Sequence, residues 1–201
     1  DFAQKHQLDY KTDEAGNVLI KKLATPGKEN LKTVILQSLI DMVCEKNKDT
    51  QHNFDTDPIE TYIDGEWLKA KGTTLGADNG IGVATQLAVL ASDDIEHGPI
   101  QCLFTVDEET GLTGAFALKE GFMDGDILIN LDSEDEGELF IGCAGGAGTT
   151  AQFPCPMTAA PEGYFFFRVA VKGLTGGHSG DDINKNRANA NKLLNRFLVQ
   201  L

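Results

Sequence analysis

The chain has 201 residues, of which 41% are hydrophobic and 24% charged, the composition of an ordinary folded protein. It sets 17 Lys and Arg against 31 Asp and Glu, a formal net charge of −14. A surface that acidic repels phosphate backbones and anionic lipid, so neither nucleic acid nor membrane is an expected partner. No apolar run approaches the ~20 residues that cross a bilayer, and the N-terminal Asp1-Phe2-Ala3-Gln4-Lys5-His6 lacks a signal-peptide core. Cys44, Cys102, Cys143 and Cys155 stand in no C-x-x-C spacing, and three lie in or beside apolar runs. They read as buried free thiols of a reducing compartment, which makes the cytoplasm the expected location. The chain starts without Met and stops at Leu201 inside an amphipathic pattern, so a fragment is expected.

In chain order, Asn17–Leu23 (NVLIKKL) reads as a strand after the Ala15-Gly16-Asn17 turn, and Thr33–Leu39 (TVILQSL) as a second. A polar segment from Glu45 to Pro58 leads to Ile59–Leu68, which holds the only Trp. The glycine-rich turn of residues 72–82 (GTTLGADNGIG) feeds a helix over roughly Ile81–Ala91, with Val83, Leu87 and Leu90 at near-helical spacing. After the His97-Gly98-Pro99 turn, Ile100–Val106 (IQCLFTV) is apolar almost throughout, as in a strand covered on both faces. A short helix is expected near Gly114–Lys119, a strand over Asp126–Leu131 and another over Glu138–Ile141. Tyr164–Val171 (YFFFRVAV) reads as a strong strand. The loop Lys172–Asp182 and a helix to Leu201 follow, with Leu194, Phe197, Leu198 and Leu201 on one face. Alternating strand and helix signals favour an α/β domain with a mixed or largely parallel sheet, and a second domain opening near residue 160.

Three of the apolar runs end in acids. TVILQSLI ends at Asp41, IQCLFTV at Asp107-Glu108-Glu109, and DILINL at Asp132. Ligands of α/β sheets bind beyond the carboxyl ends of the strands, so these acids, with Asp78 from the glycine-rich turn, can meet in one crevice. Two like charges ~4 Å apart repel by roughly 4 kcal/mol at an effective dielectric of 20. Several such pairs rival the ~5–15 kcal/mol of a whole fold, so convergence calls for a cation or for protonation. Each acid also has a plainer reading: Asp78 or Asn79 as a helix N-cap, Asp107–Glu109 as a solvated turn, Asp132–Glu136 as an acidic loop.

Several other motifs fail on inspection. Asp132-x-Glu134-x-Glu136-Gly137 imitates half a calcium loop, but its twelfth position is Cys143. Gly177-His178-Ser179-Gly180-Asp181 misses G-x-S-x-G, and no phosphate-binding glycine loop is present. His6, His52 and His97 suggest no role beyond turn and loop positions.

The stretches TVILQSLIDMV, GTTLGADNGIGVA, FTVDEETGLTGA, INLDSEDEGE and GLTGGHSG stand along the chain in this order. In order and spacing, over nearly the whole chain, they resemble the aminoacyl-histidine (Xaa-His, carnosinase-like) dipeptidases of the co-catalytic zinc aminopeptidase/carboxypeptidase superfamily. The resemblance implies an incomplete α/β catalytic domain over residues 1–159, a mixed sheet with flanking helices. Over residues 160–201 it implies the start of an α+β lid and dimerisation domain. It further implies hydrolysis of Xaa-His dipeptides with two zinc ions, or Mn or Co in their place. By position, Asp78 matches the carboxylate that bridges the two metals, Glu109 a ligand of one and Asp132 a ligand of the other. Glu108 matches the general base. Asp41 matches an acid that orients a metal-binding His two residues earlier. His178 matches a lid histidine that holds the substrate. The implied partners are a small peptide and a second copy of the chain.

Two departures from the family pattern bear on activity. Leu39 stands where the metal-binding His is expected, and leucine has no lone pair to offer. The family also draws a further metal-binding His from beyond its lid, past the point where this sequence stops. At most three direct ligands remain, Asp78, Glu109 and Asp132, so weak metal binding and little turnover are expected. A catalytically inactive binding module on the same fold is the alternative, and a calcium-binding acidic domain a third.

Overall fold

The computed structural model describes residues 1–133, 135–143, 145–177 and 182–200. Its elements are α1 (Phe2–Lys5), β1 (Asp9–Thr12), β2 (Val18–Lys22), β3 (Val34–Leu39), β4 (Thr61–Asp64), β5 (Trp67–Ala70), α2 (Ala77–Ala91), β6 (Ile100–Thr105), α3 (Thr113–Ala117), β7 (Ile127–Asn130) and α4 (Ala190–Leu198). The chain divides into two compact units, Asp1–Gly137 and Glu138–Leu201. The sequence-based boundary at residues 159 and 160 falls within the second of them.

The first unit is built on a five-stranded sheet of order β1-β2-β6-β3-β7. Its centre is β6, whose run Gln101–Thr105 is buried throughout because both faces of the strand are covered. On one face Cys102 and Phe104 join Ile20, Ala3 and Leu90, with Val83 and Leu87 of α2 packed against them. On the other face Leu103 joins Leu19 and Ile35 under Leu118, Phe122 and Met123. Full burial of a side chain such as Leu103 contributes roughly 1.5–3 kcal/mol. The helical spacing of Val83, Leu87 and Leu90 thus sets the face that α2 turns to the sheet.

The sheet is mixed. β2 pairs antiparallel with β1 and β6, whereas β3 pairs parallel with both β6 and β7. Parallel neighbours need long crossovers, and the β3-to-β6 connection carries the β4–β5 hairpin and α2. Because β6, β3 and β7 are parallel and adjacent, their carboxyl ends share one edge of the sheet. The polar floor of α2 adds a tie: Gln86, fully buried, donates to the carbonyls of Leu36 (2.6 Å) and Leu103 (3.2 Å), and accepts from Ser38 Oγ.

Several expectations need correction. Neither Tyr164–Val171 nor Glu138–Ile141 forms a strand. A strand is stabilised by a ladder partner, and no strand lies among the described residues of the second unit. Tyr164, Phe165, Phe166 and Phe167 are instead exposed. The last helix is confined to Ala190–Leu198, with Asn189 Oδ1 accepting the Lys192 N–H at 3.0 Å as its N-cap. All four cysteines are free, but only Cys102 is buried; Cys44, Cys143 and Cys155 are exposed. Those three lie outside the sheet, whereas burial at the centre of β6 pushes the Cys102 thiol up to about 12. Among the described residues no helix is long and apolar enough to cross a membrane.

Candidate active site

The shared edge of β6, β3 and β7 collects the acids. Asp41 lies two residues past β3, Glu108 and Glu109 follow β6 in the loop to α3, and Asp132 lies two residues past β7. Asp41 accepts two backbone N–H groups with its two carboxylate oxygens, from Glu108 and from Glu109, each at 3.1 Å. The loop they stand on is tightly wound. Asp107 adopts a left-handed φ of 55°, and its carboxylate accepts the hydroxyls of Thr110 and Thr113. Those two hydroxyls, Thr110 first, hold the Asp107 carboxyl below the usual carboxylate range.

Asp78 reaches the same edge from α2. Gly76 precedes the helix in a left-handed conformation, and Asp78 and Asn79 then depart from helical geometry, joined by a cis peptide bond. Asp78 does not cap the helix: no side-chain hydrogen bond closes its N-terminus. Its carboxyl is engaged instead with that of Asp132. Asn79, 3% exposed, donates its side-chain amide to the Leu131 carbonyl (2.9 Å) and to Asp132 Oδ1 (3.2 Å). Its Oδ1 is buried without a hydrogen-bond partner, close above Gly82. A Cβ on Gly82 would lie 2.2 Å from that oxygen and 3.1 Å from Leu131 Cβ, so the approach of α2 to the end of β7 requires a glycine there.

These placements crowd like charges together. Partial burial, the hydrogen bond its protonated carboxyl donates to Asp78 and the charges of Asp78, Glu108 and Glu109 push Asp132 up to about 7. Burial first, then Asp41 and Asp78, raise Glu108. Burial, then Glu108, Asp78 and Asp41, raise Glu109. The five acids therefore form one electrostatic group, and their anionic oxygens are the donor set that suits a divalent cation. Among the described residues no three His, Cys, Asp or Glu side chains are drawn together closely enough to form a ready coordination shell.

Leu39, the last residue of β3, is 2% exposed and brings no ligand to this edge. His178 lies outside the described residues. Sequence reading took Asn79 only as a candidate N-cap and overlooked Gln86, and these two position the acids and the helix beside them. The one available signal was a polar residue in each case on the core side of a helix start or helix stripe. It also passed over the β4–β5 hairpin, whose two-residue loop is Gly65-Glu66, with Gly65 at the positive φ of 63° that such a turn requires.

The fold matches solved peptidases. An aminoacylhistidine dipeptidase from Vibrio alginolyticus superposes with a TM-score of 0.71 and 52% identity, covering 98% of this chain and 40% of that one. A tripeptidase from Staphylococcus aureus subsp. aureus mu50 superposes with a TM-score of 0.55 and 26% identity, over 67% of this chain and 36% of that one. In sequence, the cytosol non-specific dipeptidase of Escherichia coli (strain K12) is 53% identical over 198 residues, 98% of this chain and 41% of that protein. No family model matches. The fold is that of a peptidase catalytic domain. Over 98% of its own length the chain is similar to both of these dipeptidases. It spans about two fifths of the length of these two dipeptidase relatives.

Proposed function

We propose that this chain carries most of the carboxylate half of a metal-dependent dipeptidase site acting on Xaa-His peptides in the cytoplasm. The observation that carries the reading is the clasp of Asp41 on the amides of Glu108 and Glu109, beside the Asp78–Asp132 pair. Asp78, Glu109 and Asp132 are the residues that would hold the metal, zinc by family resemblance. Once bound, such an ion supplies Lewis-acid polarisation of the peptide carbonyl and a lowered pKa for water. Glu108 is the base: it takes a proton from the attacking water and delivers it to the leaving amine. Burial and the charges of Asp41 and Asp78 raise its proton affinity, the direction a proton shuttle needs. Asp41 holds no metal; it fixes the backbone from which Glu108 and Glu109 project, with adjacent side chains diverging into different tasks.

Residues 1–159 serve in this reading as catalytic domain and 160–201 as the opening of a lid that pairs two copies. His178 is the residue proposed to hold the substrate. A small peptide is the partner; the charge of −14 disfavours nucleic acid and anionic membrane. With Leu39 at the position of a metal-binding His, the chain by itself should bind zinc weakly and turn over little substrate. Zinc titration by calorimetry, paired with chromatographic assay of Ala-His cleavage, tests both points. Weak binding with trace hydrolysis is expected. Tight stoichiometric zinc with rapid turnover overturns the impairment, and no divalent-metal response at all overturns the metal reading.

A second reading rests on the buried Leu39: an inactive module that uses the same cleft to bind peptides. Substitution Leu39→His separates the two, since only a damaged enzyme gains hydrolysis from a restored ligand.

A further inference from the structure

The proposed base and one proposed ligand stand on a single loop, and a residue far away in sequence closes that loop. Asn17 is fully buried, at the turn between β1 and β2. Its Oδ1 accepts the Val106 N–H at 3.1 Å, and its Nδ2 donates to the Gly114 carbonyl at 2.8 Å. The same Nδ2 donates to Asp13 Oδ2 at 2.7 Å, so both amide hydrogens and the amide oxygen are used. Val106 and Gly114 are the two ends of the acid loop, and they also touch directly, Gly114 N–H donating to Val106 O at 3.2 Å. There is no slack at this closure. A Cβ on Gly114 would lie 2.3 Å from Val106 O and 2.6 Å from Asn17 Oδ1.

We infer that Asn17 is a positioning residue for Glu108 and Glu109: its carboxamide cross-links the two ends of their loop, while Asp41 fixes the middle. A plain turn residue would spend its side chain on its own turn. Asp13 already fills that role, accepting the backbone N–H groups of Ala15 (3.0 Å) and Asn17 (2.9 Å). Two of the three Asn17 side-chain bonds instead cross 89 and 97 residues of sequence to the loop ends. An amide is suited to the task, because the site needs one acceptor and two donors on one rigid plane. Aspartate, of the same shape, would offer oxygens to the Gly114 carbonyl and to the Asp13 carboxylate. The inference rests on the proposed function only for the purpose of the loop, not for its closure.

The test is amide hydrogen exchange by NMR on the full chain, comparing Asn17→Ala and Asn17→Asp with the parent. Loss of the cross-link should speed exchange of the Glu108 and Glu109 amides at least about tenfold, with Leu36 and Leu103 little changed. Asn17→Asp keeps the Val106 acceptor, so its effect should be present and concentrated at the Gly114 end. Mn²⁺ titration by water-proton relaxation should show binding weakened about tenfold in both variants. Unchanged Glu108 and Glu109 amides overturn the inference, as does a parallel rise at every sheet amide. Failure of both variants to fold also overturns it, since Asn17 is then a general stabiliser. If the parent itself ignores Mn²⁺, the metal reading falls, and the exchange rates alone decide the role of Asn17.

Discussion

The Asp41 carboxylate accepts the Glu109 backbone N–H at 3.1 Å, and its second oxygen does the same for Glu108. One side chain at the end of β3 thereby fixes two consecutive residues at the end of β6. Charge-assisted bonds of this kind are about twice as strong as neutral ones. Asp41→Ala should lower stability by about 1–2 kcal/mol, read as a reduced urea midpoint with an unchanged slope. A midpoint equal to or above the parent's would show that relief of repulsion among the acids outweighs the two lost bonds.

The acid cluster gives stability a pH dependence opposite in sign to that of a salt-bridged carboxylate. Asp132 titrates at about 7 in the fold and near ~3.9 in an unfolded chain, so between these values the folded state binds the extra proton. The stabilisation is complete below the unfolded value and disappears as pH rises through 7. Glu108 and Glu109 are shifted in the same direction. In chelator, the thermal midpoint should therefore fall between about pH 5 and pH 7.5. The Asp132→Asn variant should flatten that slope and gain about 1 kcal/mol at pH 7.5, allowing for solvent screening. Adding Mn²⁺ to the parent at pH 7.5 should recover the lost midpoint, whereas a flat or rising profile in chelator contradicts the coupling.

Leu39 tests what the edge lacks. Leu39→His buries an imidazole at a position only 2% exposed, at a cost of about 2–3 kcal/mol in chelator. Zinc should return part of that loss, and calorimetry should report affinity raised at least about tenfold over the parent. Equal zinc affinity in the two proteins would place residue 39 out of reach of the metal.

Gln86 carries the helix that delivers Asp78. Replacing it with Ala removes donors to two strand carbonyls and an acceptor for Ser38, and leaves a cavity under α2. Gln86→Ala should destabilise by about 2–4 kcal/mol in urea denaturation. A loss below about 0.5 kcal/mol would mean that the strand ladder satisfies those carbonyls without it.

The sequence by itself determined the sheet's central strands and the helix over them. Largely apolar runs at residues 34–39 and 100–105, and a 3.6-residue stripe at Val83, Leu87 and Leu90, are local signals that burial on a sheet then reinforces. Runs ending in Asp41, Glu108, Glu109 and Asp132 also made a common acidic edge legible before any coordinates. What tertiary structure decided was pairing. β1, with every residue exposed, exists because β2 offers it a ladder. Tyr164–Val171, rich in strand-forming residues, forms no strand because none of the described residues offers it one. Contacts such as Asn17 to Gly114 or Asn79 to Asp132 join residues 97 and 53 positions apart. No spacing or composition encodes such meetings, since hydrogen bonds between distant side chains are set by how strands and helices stack, not by their order along the chain.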